Sequence, residues 1–476
     1  SIGGRLDRNG FRPCRWIITD EHLLLSSEAG SFKVDESRVE AKGSLQAGNG
    51  IKMDLSVGKI HFRDPSYSRE NYDANFEHRL EILKPATLDE SDQSFANIHL
   101  FKYTREEIEN LLVPMITEGK EPIGSMGDTA RPAIFSDQPR SFFDYFYQNF
   151  AQVTNPPLDY LREKMVTDLS MYLGKRPNIF SPKELIPQFP GLEVESPLLS
   201  LGQMKTLRGI NHSPSRIKTA EFDMIFNRDQ GEVGFRAAIR NIIAQALKAV
   251  HDGATILIIS DRNATFRQPP IPSLLMLRAL VNELNDSGLR LNVSIIVDTA
   301  EVKNTHHFAA LIGFGATAVC PYRALEFARF DKHRKTKALT PDEREYNLIK
   351  SFNSGLLKIM SKTGISVARS YQSSKLFTAL GIGKELQDLF FPGLFSPMGG
   401  INIKEVVLQI LKHTEVAETM EVDGKPIHTY QFKEHNKGTE GEKHSMTNTR
   451  SKLIHDLVRN SDFTLKDLGL FEEFLK

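Results

Sequence analysis

Cysteine is nearly missing from this chain. Its 476 residues hold two, Cys14 and Cys320, too few for a four-cysteine metal or cluster site. Two cysteines so far apart read as reduced thiols, buried or half-buried. A charge excess is missing as well, because 60 Lys and Arg balance 60 Asp and Glu. Nucleic-acid binders normally carry a basic excess, so no nucleic-acid partner is expected. No run approaches the roughly 18–20 apolar residues that cross a membrane. The longest apolar runs, such as 254–259, have strand length. The N-terminus lacks a basic region followed by an apolar one, so no signal peptide is read and a cytoplasmic location is expected. Internal repeats and low-complexity tracts are absent too.

What is present begins with short β-like segments at 15–19, 22–26, 38–41, 50–55 and 59–62, separated by Gly, Asn and Asp. They read as a meander of hairpins with too little chain before it for a full sandwich. A chain opening this way at Ser1 is expected to be a piece of a longer one. Residues 65–91 are polar and irregular. Thr104 followed by Glu107 is a capping box ahead of an apolar run. Residues 124–128 read as a tight loop. Phe142 to Phe150 is strongly aromatic, which reads as a buried helix face rather than a ligand-stacking platform. A break at Asn155-Pro-Pro-Leu precedes an expected amphipathic helix over 158–173.

The middle third is the clearest. Strands are expected at 221–226, 255–259, 291–297 and 317–320, with helices at 235–250, 273–284 and 305–312. The strands are apolar on both sides, and strand alternates with helix. That pattern specifies an α/β fold, a parallel sheet with helices on both faces. The charged stretch 329–343 reads as a solvated linker rather than a phosphate-binding patch. A helix follows at 346–362, then short elements over 370–381, a Gly/Pro-rich turn region at 392–400 and a helix at 447–459.

Several positions invite chemistry. Gly313-Phe-Gly315-Ala-Thr-Ala318 matches a dinucleotide fingerprint by letter, but it follows a helix and precedes a strand. The fingerprint needs the reverse order, so Gly313 or Gly315 reads as a helix C-cap. Asp261-Arg262-Asn263 follows a strand, at the sheet edge where open α/β folds place ligands. The alternative is that Asp261 caps or braces a loop. His306 and His307 are adjacent on a helix and point about 100° apart, so they read as structural rather than as metal ligands. Cys14 precedes a strand and is poorly placed for an activated thiolate. Ser361, Lys358 and Lys362 lie near a helix end at Gly364, where basic residues suit the dipole. No catalytic, cofactor-binding or metal-binding residue is assigned on this reading.

Four collinear blocks resemble the glutamate synthase large subunit. The first is 6–15 with Ser27-Glu-Ala-Gly30 and 42–48. The second runs from Gly124-Ser-Met-Gly-Asp128 to Pro157. The third contains Glu195-Ser-Pro-Leu-Leu199, 252–262, 270–275 and 302–324. The fourth is 355–366 with Ser370-Tyr371 and Gly399-Gly400-Ile401. The resemblance implies the end of a class II glutamine amidotransferase domain at 1–64 and a helical connecting region at 65–158. It further implies a central α/β domain at 159–330. Residues 331–476 would be a linker and the mostly helical edge of an FMN-binding (β/α) barrel. It implies a parent enzyme that forms L-glutamate from L-glutamine and 2-oxoglutarate with FMN and an iron–sulfur cluster, neither fully bound by this chain. The implied partners are the remainder of that polypeptide and a small electron-transfer subunit or ferredoxin. The sequence departs from the family's pattern at Thr363, at Tyr371-Gln-Ser-Ser374 and at Ser396-Pro-Met398. A non-catalytic scaffold derived from the same family is the alternative, and an unrelated α/β enzyme using the Asp261 edge is a third reading.

Overall fold

The computed structural model describes residues 1–62 apart from 7–8, 11–12 and 29, then 81–88, 98–123, 130–150, 154, 161–176, 191–212, 217–330, 333–423, 441–459 apart from 443 and 445, 469 and 472. The expected loop at 124–128 and the break at 155–158 lie outside the described residues. The chain divides into two compact units, Ser1–His78 and Arg79–Lys476.

The first unit is a set of antiparallel hairpins. One three-stranded sheet joins Ile2–Arg5, Gly50–Asp54 and Lys59–Phe62, and the other places Arg15–Thr19 between Leu23–Ser26 and Val39–Ser44. Ile2–Arg5 carries two glycines and had no strand signature in the sequence. It is a strand by virtue of its antiparallel ladder with Gly50–Asp54. The core is small, with Leu6, Leu45 and Ile51 buried against Trp16, Leu23, Leu25 and Ile60.

The second unit is built on a parallel sheet. Its strands are β1 (Thr219–Asp223), β2 (Ile256–Ser260), β3 (Ser294–Asp298) and β4 (Ala318–Cys320), in the order β1-β2-β3-β4. Every residue of β2, β3 and β4 is buried. Because successive side chains point to opposite faces, both faces of the sheet are covered. The connecting helices are α1 (Gly231–His251), α2 (Ser273–Asp286) and α3 (Thr305–Gly313). α1 buries Phe235, Ile239, Ile242, Ala246 and Val250, an i, i+4, i+7 stripe. Two more helices, α4 (Tyr322–Phe330) and α5 (Pro341–Thr363), follow β4. α5 starts with the Thr340–Glu343 capping box and Pro341, and ends at Gly364 in the left-handed conformation, φ +73°. Two further helices follow, α6 (Ile403–Asp423) and Asn448–Arg459. One continuous apolar core runs from Leu83 to Val407.

Three local expectations are corrected. Phe142–Phe150 is not a helix face. Phe142–Tyr145 is a 3-10 turn and Phe146–Gln148 a strand paired with Phe377–Ala379. Phe142, Phe143, Tyr145 and Phe146 are all buried while Tyr147 and Phe150 are exposed, and four buried positions in five do not fit one helical stripe. The helix over 158–173 shrinks to Glu163–Val166, and Met171–Gly174 is a strand beside Gly191–Val194. The charged stretch 329–343 is largely exposed, as expected, but it is tied down rather than a free linker. Arg329 pairs with Asp342 and Glu345, His333 and Lys335 meet Glu109, and Thr336 is buried.

Candidate functional site

The parallel register aligns the last residues of the four strands in one row, Asp223, Ser260, Asp298 and Cys320. Ser260, Asp298 and Cys320 each end an apolar run with a polar or sulfur-bearing group. This carboxyl edge is where an open α/β sheet usually receives a ligand, so its side chains decide what the edge can do.

Asp298 is fully buried. Its carboxylate accepts from Arg262 Nε at 2.7 Å, from Arg208 Nη2 at 2.7 Å and from Ser260 Oγ at 2.9 Å. Burial opposes its ionisation, but the two guanidinium groups outweigh that and hold its pKa below the usual carboxylate range. Arg262 also donates to Glu326 at 3.0 Å, and its guanidinium lies 4.0 Å over the Tyr322 ring. Glu326 accepts a second bond, from Arg323 one turn away on α4, at 3.0 Å. Burial pushes the Glu326 carboxyl up to about 7, against the pull of Arg323 and Arg262.

Asp261 accepts from Thr299 Oγ1 and from the Ala300 amide at 3.0 Å. Burial pushes its pKa up to about 8, and these bonds only partly oppose it. It therefore braces the loop after β3, the neighbouring strand, rather than its own loop. Asn263 donates to Asp223. Burial, and then the nearby Asp298 charge, push the Cys320 thiol well up, which leaves it no thiolate character. Each of these charged groups is met by another group of the protein, while Asp223 and Asn263 at the β1 end stay exposed.

Behind this edge lies a second polar cluster. Glu107 caps its helix turn through Thr104 and also takes buried Lys303 Nζ at 2.9 Å. Lys303 sits 4.8 Å from the Tyr103 ring and donates to the Lys102 carbonyl. The capping box foreseen in the sequence thus has a second role as counter-ion. A cavity of about 50 Å³ lies beside it, lined in part by Lys102, Arg140, Phe142, Glu301, Gln409 and His413. Burial drives the Lys102 amine down to about 8 and the His413 ring to about 3. At roughly 10–15 Å³ per water the cavity holds a few waters and no flavin ring.

The other sequence candidates are structural. His307 bonds to the Glu301 carbonyl and stacks on Phe143 at 4.6 Å, and His306 bonds to the Phe143 carbonyl. Among the described residues no group of three or more His, Cys, Asp or Glu could hold a metal ion. Gly315, φ +124°, follows the end of α3 as a C-terminal cap would. Gly364 caps α5 next to Lys362. Cys14 is half-buried in the first unit. With one thiol there and the other shut in the sheet, the residues do not fit an iron–sulfur cluster.

Sequence reading passed over Asp298, Glu326, Arg208, Arg323 and Lys303. A usable signal existed for Asp298, a lone acid ending an apolar β-run. For Arg323 and Glu326 it was an i, i+3 pair, but α4 itself went unread.

The class this defines is a mixed α/β protein with a parallel sheet whose buried carboxyl-edge charges are paired among themselves. Residues 96–383 match the family model of the glutamate synthase central domain, and residues 1–74 match that of class-II glutamine amidotransferases. The chain belongs to the glutamate synthase central domain family. It is 36% identical over 414 residues to the glutamate synthase [NADPH] large chain of Bacillus subtilis, covering 85% of this chain and 27% of that one. It is 35% identical over 487 residues to ferredoxin-dependent glutamate synthase 2 of Synechocystis, covering 96% of this chain and 30% of that one. The chain thus spans less than a third of the length of these relatives. Among solved structures, the flavin-binding domain of baker's yeast flavocytochrome b2 aligns with 59% of this chain and 89% of its own, at 11% identity and a TM-score of 0.30.

Proposed function

We propose that this chain is the segment of a glutamate synthase large subunit that joins the glutaminase and synthase sites. The activity belongs to the whole polypeptide: L-glutamate from L-glutamine and 2-oxoglutarate, in nitrogen assimilation. One observation carries this, the collinear order of the two family matches, amidotransferase over 1–74 and then central domain over 96–383.

On this reading residues 1–64 end the amidotransferase domain, 65–158 connect, 159–330 are the scaffold, and 331–476 lead toward an FMN-binding (β/α) barrel. FMN and the iron–sulfur cluster are held by the remainder of the polypeptide. The electron partner is ferredoxin or a small electron-transfer subunit. The work of the segment is to hold the two sites in register and to wall an ammonia path. Apolar walls that exclude water keep ammonia neutral and unreleased. The ion pairs at the sheet edge support an architectural role over a catalytic one.

The test is direct. The chain is incubated with glutamine, 2-oxoglutarate and a reductant, and glutamate is measured. No glutamate is expected. Turnover by this chain alone would overturn the assignment of chemistry to the rest of the polypeptide.

A further inference from the structure

The amino edge of the parallel sheet is built in the opposite way from its carboxyl edge. Here α3 ends and its last carbonyls collect cations. Phe314 O accepts from Arg278 Nη1 at 3.0 Å, and Gly315 O accepts from Arg290 Nη2 at 2.8 Å. Gln372 Nε2 donates to the same Gly315 carbonyl at 3.3 Å, and Gln372 Oε1 accepts from Arg176 Nη2 at 2.9 Å. The Lys375 amide donates to Gly313 O at 3.0 Å. Arg369 lies in the helical turn capped by Gln372, and burial followed by the Arg369 charge lowers the pKa of Arg176. These residues come from four separate parts of the chain.

The hydrogen bonds of the Arg176, Arg278 and Arg290 guanidinium groups all go to carbonyl or amide oxygens. Among the described residues none of Arg176, Arg278, Arg290, Arg369 and Lys375 is paired with a carboxylate. The end of a helix supplies roughly half a negative charge, which offsets only part of this excess. The consequence is visible in the groups themselves. Burial, then Arg176 and Arg278, bring Arg290 down to about 10, and burial followed by Arg278 lowers Lys375.

The loop that carries Gln372 is strained. Ser373 at φ +63° and Lys375 at φ +52° both occupy the left-handed region, at about 1–2 kcal/mol each for a residue with a Cβ. Between them the Ser374 hydroxyl is buried with no partner among the described residues. Such strain persists where the surroundings enforce it, often at ligand clamps. At the carboxyl edge, by contrast, the arginines are matched to acids.

We propose that this basic cluster, in which no arginine or lysine is paired with a carboxylate among the described residues, is a binding site for a phosphate or phosphoryl group, with Arg176 and Arg369 exposed and Arg290 and Lys375 half-buried. Guanidinium forks match the oxygens of such a group in bidentate fashion. The site is independent of the catalytic role proposed for the parent polypeptide.

The experiment titrates the 476-residue chain with inorganic phosphate, and separately with phenyl phosphate, at constant ionic strength. Binding is read by calorimetry and by phosphorus NMR line width. Saturable binding is expected. Arg176→Gln with Arg369→Gln should weaken it about tenfold or more, as loss of charged hydrogen bonds does. Arg240→Gln, on the exposed face of α1, should leave it unchanged. Arg369→Gln alone disturbs no ion pair of the described residues and serves as the second variant should the double one unfold. Preference for phenyl phosphate identifies a phosphorylated ligand, and equal binding identifies the free ion. Absence of saturable binding, or equal loss in Arg240→Gln, overturns the proposal.

Discussion

Arg262 Nε meets Asp298 at 2.7 Å, and the same guanidinium reaches Glu326 at 3.0 Å. One side chain thereby links the end of β2, the end of β3 and helix α4. The two carboxylates are completely buried and the arginine is 21% exposed. A buried ion pair is a weak source of net stability, but removing one partner strands the other. The edge is thus locked by interdependence rather than by the strength of any single bond.

Asp298→Asn should destabilise the second unit by about 3–5 kcal/mol, the range for breaking a buried pair. It removes the charge that Arg262 and Arg208 share. Urea unfolding followed by circular dichroism measures it. A loss below about 1 kcal/mol would mean that the network adds nothing beyond ordinary hydrogen bonds.

Asp261 makes the stability depend on pH in a defined direction. Its folded pKa, about 8, lies above its ordinary 3.8. The folded state therefore keeps a proton that the unfolded state has lost. The stability this gives is complete below pH 3.8 and is lost as pH rises toward 8. Asp261→Asn mimics the protonated carboxyl and can still accept from Thr299 and Ala300. Its stability relative to the parent should therefore rise by about 1.4 kcal/mol per pH unit inside that window. Parallel denaturation series at pH 5, 6 and 7 read the slope, and identical slopes for the two proteins would refute the assignment.

Gly355 on α5 faces the N-terminal turn of α3. A Cβ at that position would lie 2.2 Å from Thr305 Oγ1 and 2.5 Å from Thr305 Cγ2. Gly355→Ala should cost about 1–3 kcal/mol, as overpacking does, although alanine is the better helix former. Thr305→Ser in the same background removes the methyl carbon and should recover part of the loss. Thermal unfolding of the single and double variants tests both statements.

Much of this was legible beforehand. The parallel strands announced themselves as β-branched runs, and the boundaries of α2 and α3 fell within two residues of expectation. The capping box at Thr104 and the cap at Gly364 followed from residue chemistry alone. Ile2–Arg5 was not legible, because its two glycines carry no strand signal and only the partner ladder makes it a strand. The aromatic segment misled because its period reflects burial from two sides. Helix α4 went unread, and its Arg323 and Glu326 are buried as a pair, where such charges usually face water.

The sequence by itself determined the alternation of strand and helix, the apolar sheet and the membership of its family, since each depends on local pattern and order. Only the tertiary structure decided the fate of the charges. Sixty acids and sixty bases sum to zero in any arrangement. Register and chain crossing placed acids among arginines at the carboxyl edge of the sheet and left arginines without acids at the amino edge. Coulomb energy depends on separation and burial, and neither is written in the order of residues.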